Sequence, residues 1–166
     1  VAFEIIGPKT DIWTFDLLRE TLTPFTFSGD RQQVGWTSDG KKIVFDSFPD
    51  GGKYNLYWRS ADGSKPEELL ATNEYGFSAP SVTPDGKWLA YHGTKTNRDI
   101  WVLPLEGEHK PRPLLQEPFG ESAPAFSPDG RWMAYVSDES GQFEVYVRPF
   151  PSLDGKWRIS TEGGEG

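Results

Sequence analysis

The chain has 166 residues, a formal net charge of −8, no cysteine and seven tryptophans. That length supports one domain with a sizeable core. The acidic balance argues against nucleic acid, whose phosphates call for lysine and arginine, and against anionic membranes, which attract polybasic clusters. The missing cysteines exclude disulfides, thiolate metal sites and thiol catalysis, and leave the compartment open.

No run approaches the roughly 20 apolar residues of a membrane span. The opening Val1-Ala2-Phe3-Glu4-Ile5-Ile6 is too short for a signal peptide and lacks its basic flank, which leaves open a leader removed beforehand. Short apolar runs between glycine and proline turn signals predict strands rather than helices. Two ladders set their register. Asp39, Asp85 and Asp129 each precede a glycine at steps of 46 and 44 residues, and Trp13, Tyr57, Trp101 and Tyr146 recur at 44, 44 and 45. One period in two ladders means a tandem array, whose units must stack to bury their apolar faces.

In chain order, Ala2-Phe3 matches Ala90-Tyr91 two periods later, so the chain is expected to enter within the second strand of a first, partial unit spanning about 1–27. Asp11-Ile12-Trp13 begins its third strand. The second unit, 32–71, has small Gly35 four residues before the turn aspartate, then Asp39-Gly40 at the turn, then Asn55-Leu56-Tyr57 in its third strand. The third unit, 78–116, is the clearest. Ser78 to Thr83 reads as a strand, and Pro84-Asp85-Gly86 as a three-residue hairpin loop with glycine in the left-handed position. Lys87 to His92 is a second strand with apolar residues on both faces, and Asp99 to Leu103 is a third. Pro111-Arg112-Pro113-Leu114-Leu115 is a fourth, its prolines suiting an outer edge. The last unit, 122–161, repeats the phrase Ser127-Pro128-Asp129-Gly130-Arg131-Trp132-Met133-Ala134-Tyr135 and ends at Trp157 to Thr161.

Gly35, Ser81 and Ala125 share one repeat position, where small residues suit innermost strands crowding an axis. Asp11, Asn55, Asp99 and Glu144 precede the third-strand aromatic by two, and are expected to tie strand to strand or blade to blade. Four antiparallel strands buried on both faces, repeated every 40–45 residues or so, describe a β-propeller blade. The expected fold is therefore all-β: a partial β-propeller of three full four-stranded blades plus three strands of another, forming one propeller segment over 1–166.

These phrases resemble the WD-repeat-like units of TolB-type β-propellers, through Ser127 to Tyr135 with Glu144-Val145-Tyr146-Val147 after it. Asp11 to Leu17, Leu22 to Thr26 and Val34 to Gly40 are similar to the propellers carried by some bacterial eukaryotic-like serine/threonine kinases. Ser38 stands where the pattern usually has proline; the aspartate and glycine of that turn survive. The resemblance implies a binding or sensing platform within a larger signalling or envelope protein, in a periplasmic or extracytoplasmic location. It also extends to the substrate-gating propellers of prolyl-oligopeptidase-like serine peptidases, whose own chemistry lies in another domain.

The residues themselves offer no catalytic signature. Gly76-Phe77-Ser78-Ala79-Pro80 and Gly120-Glu121-Ser122-Ala123-Pro124 approach a nucleophile elbow, but both end in proline and recur with the blades, and no helix is expected after them. His92 and His109 are the only histidines, short of a zinc site. The acidic loops at Asp46 to Gly52 and Asp138 to Gly141 do not follow EF-hand spacing and read as solvated turns. No phosphate loop is present: Glu162 to Gly166 neither follows the glycine spacing nor opens a helix. No enzyme activity, cofactor or metal is therefore expected.

Function on a repeat scaffold is sought where the repeat breaks. Strand count places the second-to-third and fourth-to-first connections on one rim of the ring and the Asp-Gly turns on the other. The first rim varies most. It carries Phe48, Asp50 and Tyr54 in one blade, Lys95 and Arg98 in the next, and Asp138 and Phe143 in the last; Tyr75, Phe77 and Phe119 come from the blade-to-blade connections. Exposed aromatics with mixed charge suit a protein or peptide partner better than a small-molecule pocket; the other reading is that these rings only cap the blades. With fewer strands than a closed ring of 4–8 blades, the segment is expected either to continue in a longer polypeptide or to self-associate through open blade ends, copies closing one ring as an oligomer.

Overall fold

Each sheet is an up-and-down meander in chain order, as short strands joined by tight turns must be. The structure is a computed structural model and describes residues 1–49, 52–93 and 97–164. The first sheet has three strands, β1 (Ala2–Ile5), β2 (Asp11–Asp16) and β3 (Thr21–Pro24). The second has four: β4 (Arg31–Trp36), β5 (Lys42–Ser47), β6 (Tyr54–Ser60) and β7 (Glu68–Asn73). The third runs through β8 (Ser78–Val82), β9 (Trp88–His92), β10 (Ile100–Pro104) and β11 (Arg112–Leu115). The fourth holds β12 (Glu121–Phe126), β13 (Trp132–Ser137), β14 (Glu144–Pro149) and β15 (Trp157–Arg158). All pairings within the sheets are antiparallel. The all-β partial propeller read from the ladders is the fold observed. No helix long and apolar enough to cross a membrane occurs among the described residues.

The Asp-Gly turns have a longer loop than three residues. Strand β8 stops at Val82 and β9 starts at Trp88. The Thr83 hydroxyl does part of the pairing: it donates to Asp85 Oδ1 at 2.6 Å and accepts from Trp88 N at 3.0 Å. Asp85 Oδ1 also accepts from Lys87 N at 3.1 Å, and Gly86 takes φ 71°, as its lack of Cβ permits. Thr37 with Asp39, and Ser127 with Asp129, repeat the arrangement.

Three apolar cores lie between four sheets. Ile12 and Phe25 meet Ile43 and Phe45 between the first and second sheets. Val44, Leu56 and Leu70 meet Leu89, Tyr91 and Leu103 between the second and third. Ala90, Ile100 and Val102 meet Met133, Tyr135 and Tyr146 between the third and fourth. The two-sided burial comes straight from strand alternation: Ile43 and Phe45 face one neighbour, and Val44 between them faces the other. Of the ladder aromatics, Tyr57, Trp101 and Tyr146 turn toward the preceding sheet, Tyr57 stacking on Phe45 at 6.0 Å and Tyr146 on Tyr135 at 5.8 Å. Burial of each such side chain contributes about 1.5–3 kcal/mol.

First strands β4, β8 and β12 lie against one another and form the axis. Small residues are required there: a Cβ on Gly35 would stand 2.8 Å from the Pro80 carbonyl oxygen. The polar residues ahead of the third-strand aromatics do tie strands. Asp11 accepts from Thr26 Oγ1 and Gly29 N, Asn55 from Thr72 Oγ1, and Glu144 from the Ser160 hydroxyl and Gly163 N. Each bond reaches the fourth strand or the segment just beyond it.

Candidate protein-binding rim

The strand directions put Asp39, Asp85 and Asp129 on one edge of the arc, the turn rim. The connections after each second and fourth strand emerge on the opposite edge, the connection rim. Among the sequence candidates there, Asp50 and Lys95 lie outside the described residues. Phe48 is 43% exposed and stacks on Tyr54 with ring centroids 4.5 Å apart. Its amide donates to the Asp30 carbonyl at 3.4 Å, which carries the β4–β5 pairing of its own sheet one step past Arg31 and Ser47. Tyr75 is 42% exposed on a turn built by Asn73, whose Oδ1 accepts from Tyr75 N and Gly76 N at 2.8 Å. Phe119 is 40% exposed at the equivalent place one blade on.

Around Phe119 the third and fourth blades are laced together. Asn97 Nδ2 donates to the Pro118 carbonyl at 3.0 Å, and Gly120 N donates to Asp138 Oδ1 at 2.9 Å. Asp138 is thus a structural acceptor. Arg98 adopts φ 60°, unusual for a residue with a Cβ, and lays its guanidinium over the Phe143 ring at 5.4 Å.

Phe77 corrects the sequence reading. It is fully buried, with its ring 4.8 Å from that of Tyr91, and belongs to the core between the second and third sheets rather than to a surface. It sits one residue inside the connection, where the chain has already entered the blade.

Beneath the rim runs a set of contacts that single residues in the sequence do not announce. Each first strand is bulged, with Gln33, Ala79 and Ala123 at φ 53°, 50° and 48°. The bulge amide is capped by a side chain from the blade before: Glu4 Oε1 accepts from Gln33 N at 2.8 Å, Gln33 Oε1 from Ala79 N at 2.9 Å, and His92 Nδ1 from Ala123 N at 3.3 Å. Gln33, Ala79 and Ala123 share one repeat position, six residues before each turn aspartate, where no residue type announces a bulge. These strands line an axial groove of about 470 Å³, bordered by Gln33, Pro80 and Pro124.

Burial dominates the electrostatics. It lowers the His92 pKa to about 4, helped by Arg98, which keeps Nδ1 an acceptor. It raises Asp46 to about 7, against a hydrogen bond from Phe77 N. It also raises Glu121 to about 7, with Glu117 and Asp99 adding to the effect. Ser78 opens strand β8 and Ser122 is the second residue of β12, so each lies in a strand with no helix after it. His109 Nδ1 pairs with the Pro104 carbonyl and its ring meets Trp58 edge-on. No group of three or more His, Cys, Asp or Glu among the described residues is placed to hold a metal.

The blades repeat an Asp-Gly turn, an aromatic third strand and a bulged axial strand, and the TolB β-propeller domain family matches residues 35–165. The chain belongs to that family. Solved structures similar to this TolB-type chain include TolB from Acinetobacter baumannii, with TM-score 0.80 and 21% identity over 98% of this chain and 41% of that one. A putative TolB from Agrobacterium tumefaciens gives TM-score 0.58 and 17% identity, covering 95% and 72%. A prolyl endopeptidase gives 0.63 and 16%, covering 94% and 27%. These likenesses show the fold. The chain spans 41% of the A. baumannii TolB. No curated protein matches the sequence.

Proposed function

We propose that this TolB-type segment is a non-catalytic protein-binding module that reads its partner with the connection rim. The observation that carries this reading is the row of half-exposed rings at Phe48, Tyr75 and Phe119, each held by loop hydrogen bonds or stacking rather than sunk in the core. Large, ordered aromatic surface is the commonest source of binding energy between proteins. The test is capture from a cell extract by the wild-type chain and by the Phe48→Ala, Tyr75→Ala, Phe143→Ala triple variant. Loss of a captured band with folding intact supports the reading; an unchanged set of bands overturns it.

The proposal places the segment in a larger signalling or envelope protein, outside the cytoplasm, in keeping with the TolB family. Attachment to a kinase domain is one form of that arrangement, and the reading frame on either side tests it. A second reading, the gating propeller of a serine peptidase, is favoured by the likeness to a prolyl endopeptidase; a hydrolase domain with a nucleophile elbow in the same frame would establish it. Self-association also belongs to the proposal. Phe3, Ile5 and Leu22 on the first sheet, and Trp132 and Trp157 on the last, are more than a third exposed, and apolar faces of this kind find partners. Light scattering at high concentration should report a particle larger than one chain, and a strict monomer would end this part of the proposal.

A further inference from the structure

Six aspartates are followed directly by glycine: Asp39, Asp50, Asp62, Asp85, Asp129 and Asp154. Asp50-Gly51 lies outside the described residues. An Asp-Gly pair carries its own reagents. The glycine amide nitrogen is a nucleophile, the aspartate carboxyl carbon is an electrophile, and no glycine side chain hinders their meeting. How each group is held decides whether they meet.

The three ladder turns hold both groups. Asp39 Oδ1 accepts from Thr37 Oγ1 at 2.7 Å and Lys41 N at 3.0 Å, while Gly40 N donates to the Thr37 carbonyl at 2.9 Å. Asp85 is bound by Thr83 and Lys87, and Gly86 N donates to the Thr83 carbonyl at 2.8 Å. Asp129 accepts from Ser127 Oγ, Arg131 N and Arg131 Nε, and Gly130 N donates to the Ser127 carbonyl at 2.9 Å. Asp62-Gly63, between β6 and β7, is outside the ladder and is guarded in the same way. Its Oδ1 accepts from Ser64 N at 2.9 Å and Ser64 Oγ at 2.7 Å, and Gly63 N donates to the Ser60 carbonyl at 2.9 Å. Hydrogen bonds to hydroxyl and backbone N–H groups also hold these four carboxyls below the ordinary aspartate range. They stay ionised, and a carboxylate is a poor electrophile.

Asp154-Gly155 is the exception. It lies between β14 and β15, with both residues exposed. Among the described residues, the Asp154 carboxyl makes no hydrogen bond or ion pair, and Gly155 N finds no acceptor; the bond at this pair runs from Asp154 N to Ser152 Oγ at 3.3 Å. The loop nevertheless needs its glycine. Gly155 takes φ 90°, and a Cβ there would stand 2.9 Å from Trp157 Cη2.

We infer that Asp154-Gly155 is a site of spontaneous backbone modification, at which aspartate converts to isoaspartate through a cyclic imide. The Gly155 nitrogen bonds to Cγ of the protonated Asp154 carboxyl. The bond from Cγ to the hydroxyl oxygen breaks, and the hydroxyl leaves as water with the amide proton. A water molecule then opens the ring. Attack at Cγ restores aspartate, and attack at the main-chain carbonyl leaves the chain running through Cγ. One water leaves and one returns, so solvent is the only co-reactant. Isoaspartate adds one carbon to the main chain just ahead of β15 and of Lys156, whose ammonium pairs with Glu117 and Glu139.

The test keeps the folded chain for weeks in warm, near-neutral water enriched in heavy oxygen. Each ring opening then leaves one heavy oxygen on the residue, whichever way the ring opens. Digestion in ordinary water and electron-transfer mass spectrometry locate heavy oxygen and isoaspartate at single residues. Both should build up at Asp154 at least about tenfold faster than at Asp39, Asp62, Asp85 or Asp129, because closing those rings first breaks hydrogen bonds on both reacting groups. In the chain unfolded by urea these five pairs should react at similar rates, since the guarding bonds are gone. Equal rates at Asp154 and the guarded aspartates in the folded chain, or no reaction at Asp154, would overturn the inference. An excess at Asp154 that persists in urea would overturn it too, because local sequence and not the fold would then be its cause.

Discussion

The Ser/Thr-x-Asp-Gly turn shows how much one hydroxyl can do. Thr83 is buried, and its hydroxyl both restrains Asp85 and replaces a missing backbone pair at Trp88. Thr83→Val keeps the shape and strands the Trp88 amide, at a cost of about 1–3 kcal/mol; urea unfolding should show an earlier midpoint with an unchanged slope. Buried titratable residues make stability depend on pH in opposite senses. Asp46 is raised from its ordinary 3.8 to about 7, so its contribution is whole below pH 3.8 and is lost as pH rises through about 7. Asp46→Asn should therefore gain on the wild type between pH 5 and pH 8, as read from unfolding midpoints; a gap independent of pH would show that the carboxyl is not buried in this way. His92 is lowered from 6.5 to about 4, so its contribution is whole above pH 6.5 and disappears as pH falls through about 4. The turn aspartates and glycines were legible in the sequence because only a few residue types fit that geometry. The hydroxyl two places before each aspartate was equally periodic, yet its role depends on which backbone pair is absent. Phe77 was misplaced for a related reason: exposure depends on whether the chain has entered the blade, and one residue decides it.

At the scale of the element, the strands were readable because alternation and turns repeat together. Their ends were less so: β15 holds only Trp157 and Arg158 where a longer strand to Thr161 is suggested by the sequence. Strand bulges were invisible because their left-handed residues are Gln33 and two alanines, not glycines. What keeps them is the capping side chain from the blade before, a contact across 29 to 46 residues of chain. The Gly35 position was read correctly as crowded. Gly35→Ala drives a methyl into the Pro80 carbonyl, and overpacking of this sort costs about 1–3 kcal/mol. Differential scanning calorimetry should find a lower midpoint; an unchanged one would mean that β4 and β8 can separate without loss.

Across the whole molecule, the aromatic residues divide into two populations. One is wedged between blades, where it holds the arc together. The other stands on the connection rim, 40–43% exposed at Phe48, Tyr75 and Phe119. The ladders in the sequence identify the first group because periodic residues are architectural. They identify the second only by its breaking the period, which marks a surface without naming what covers it. A thermal melt of Trp101→Ala beside Phe119→Ala tests this division most directly. Trp101 packs against the core between the second and third sheets, so its loss should cost about 3–5 kcal/mol and lower the midpoint by roughly 10 °C, while Phe119→Ala should stay within about 2 °C of wild type. An unmoved midpoint for Trp101→Ala, or a large fall for Phe119→Ala, would contradict the account.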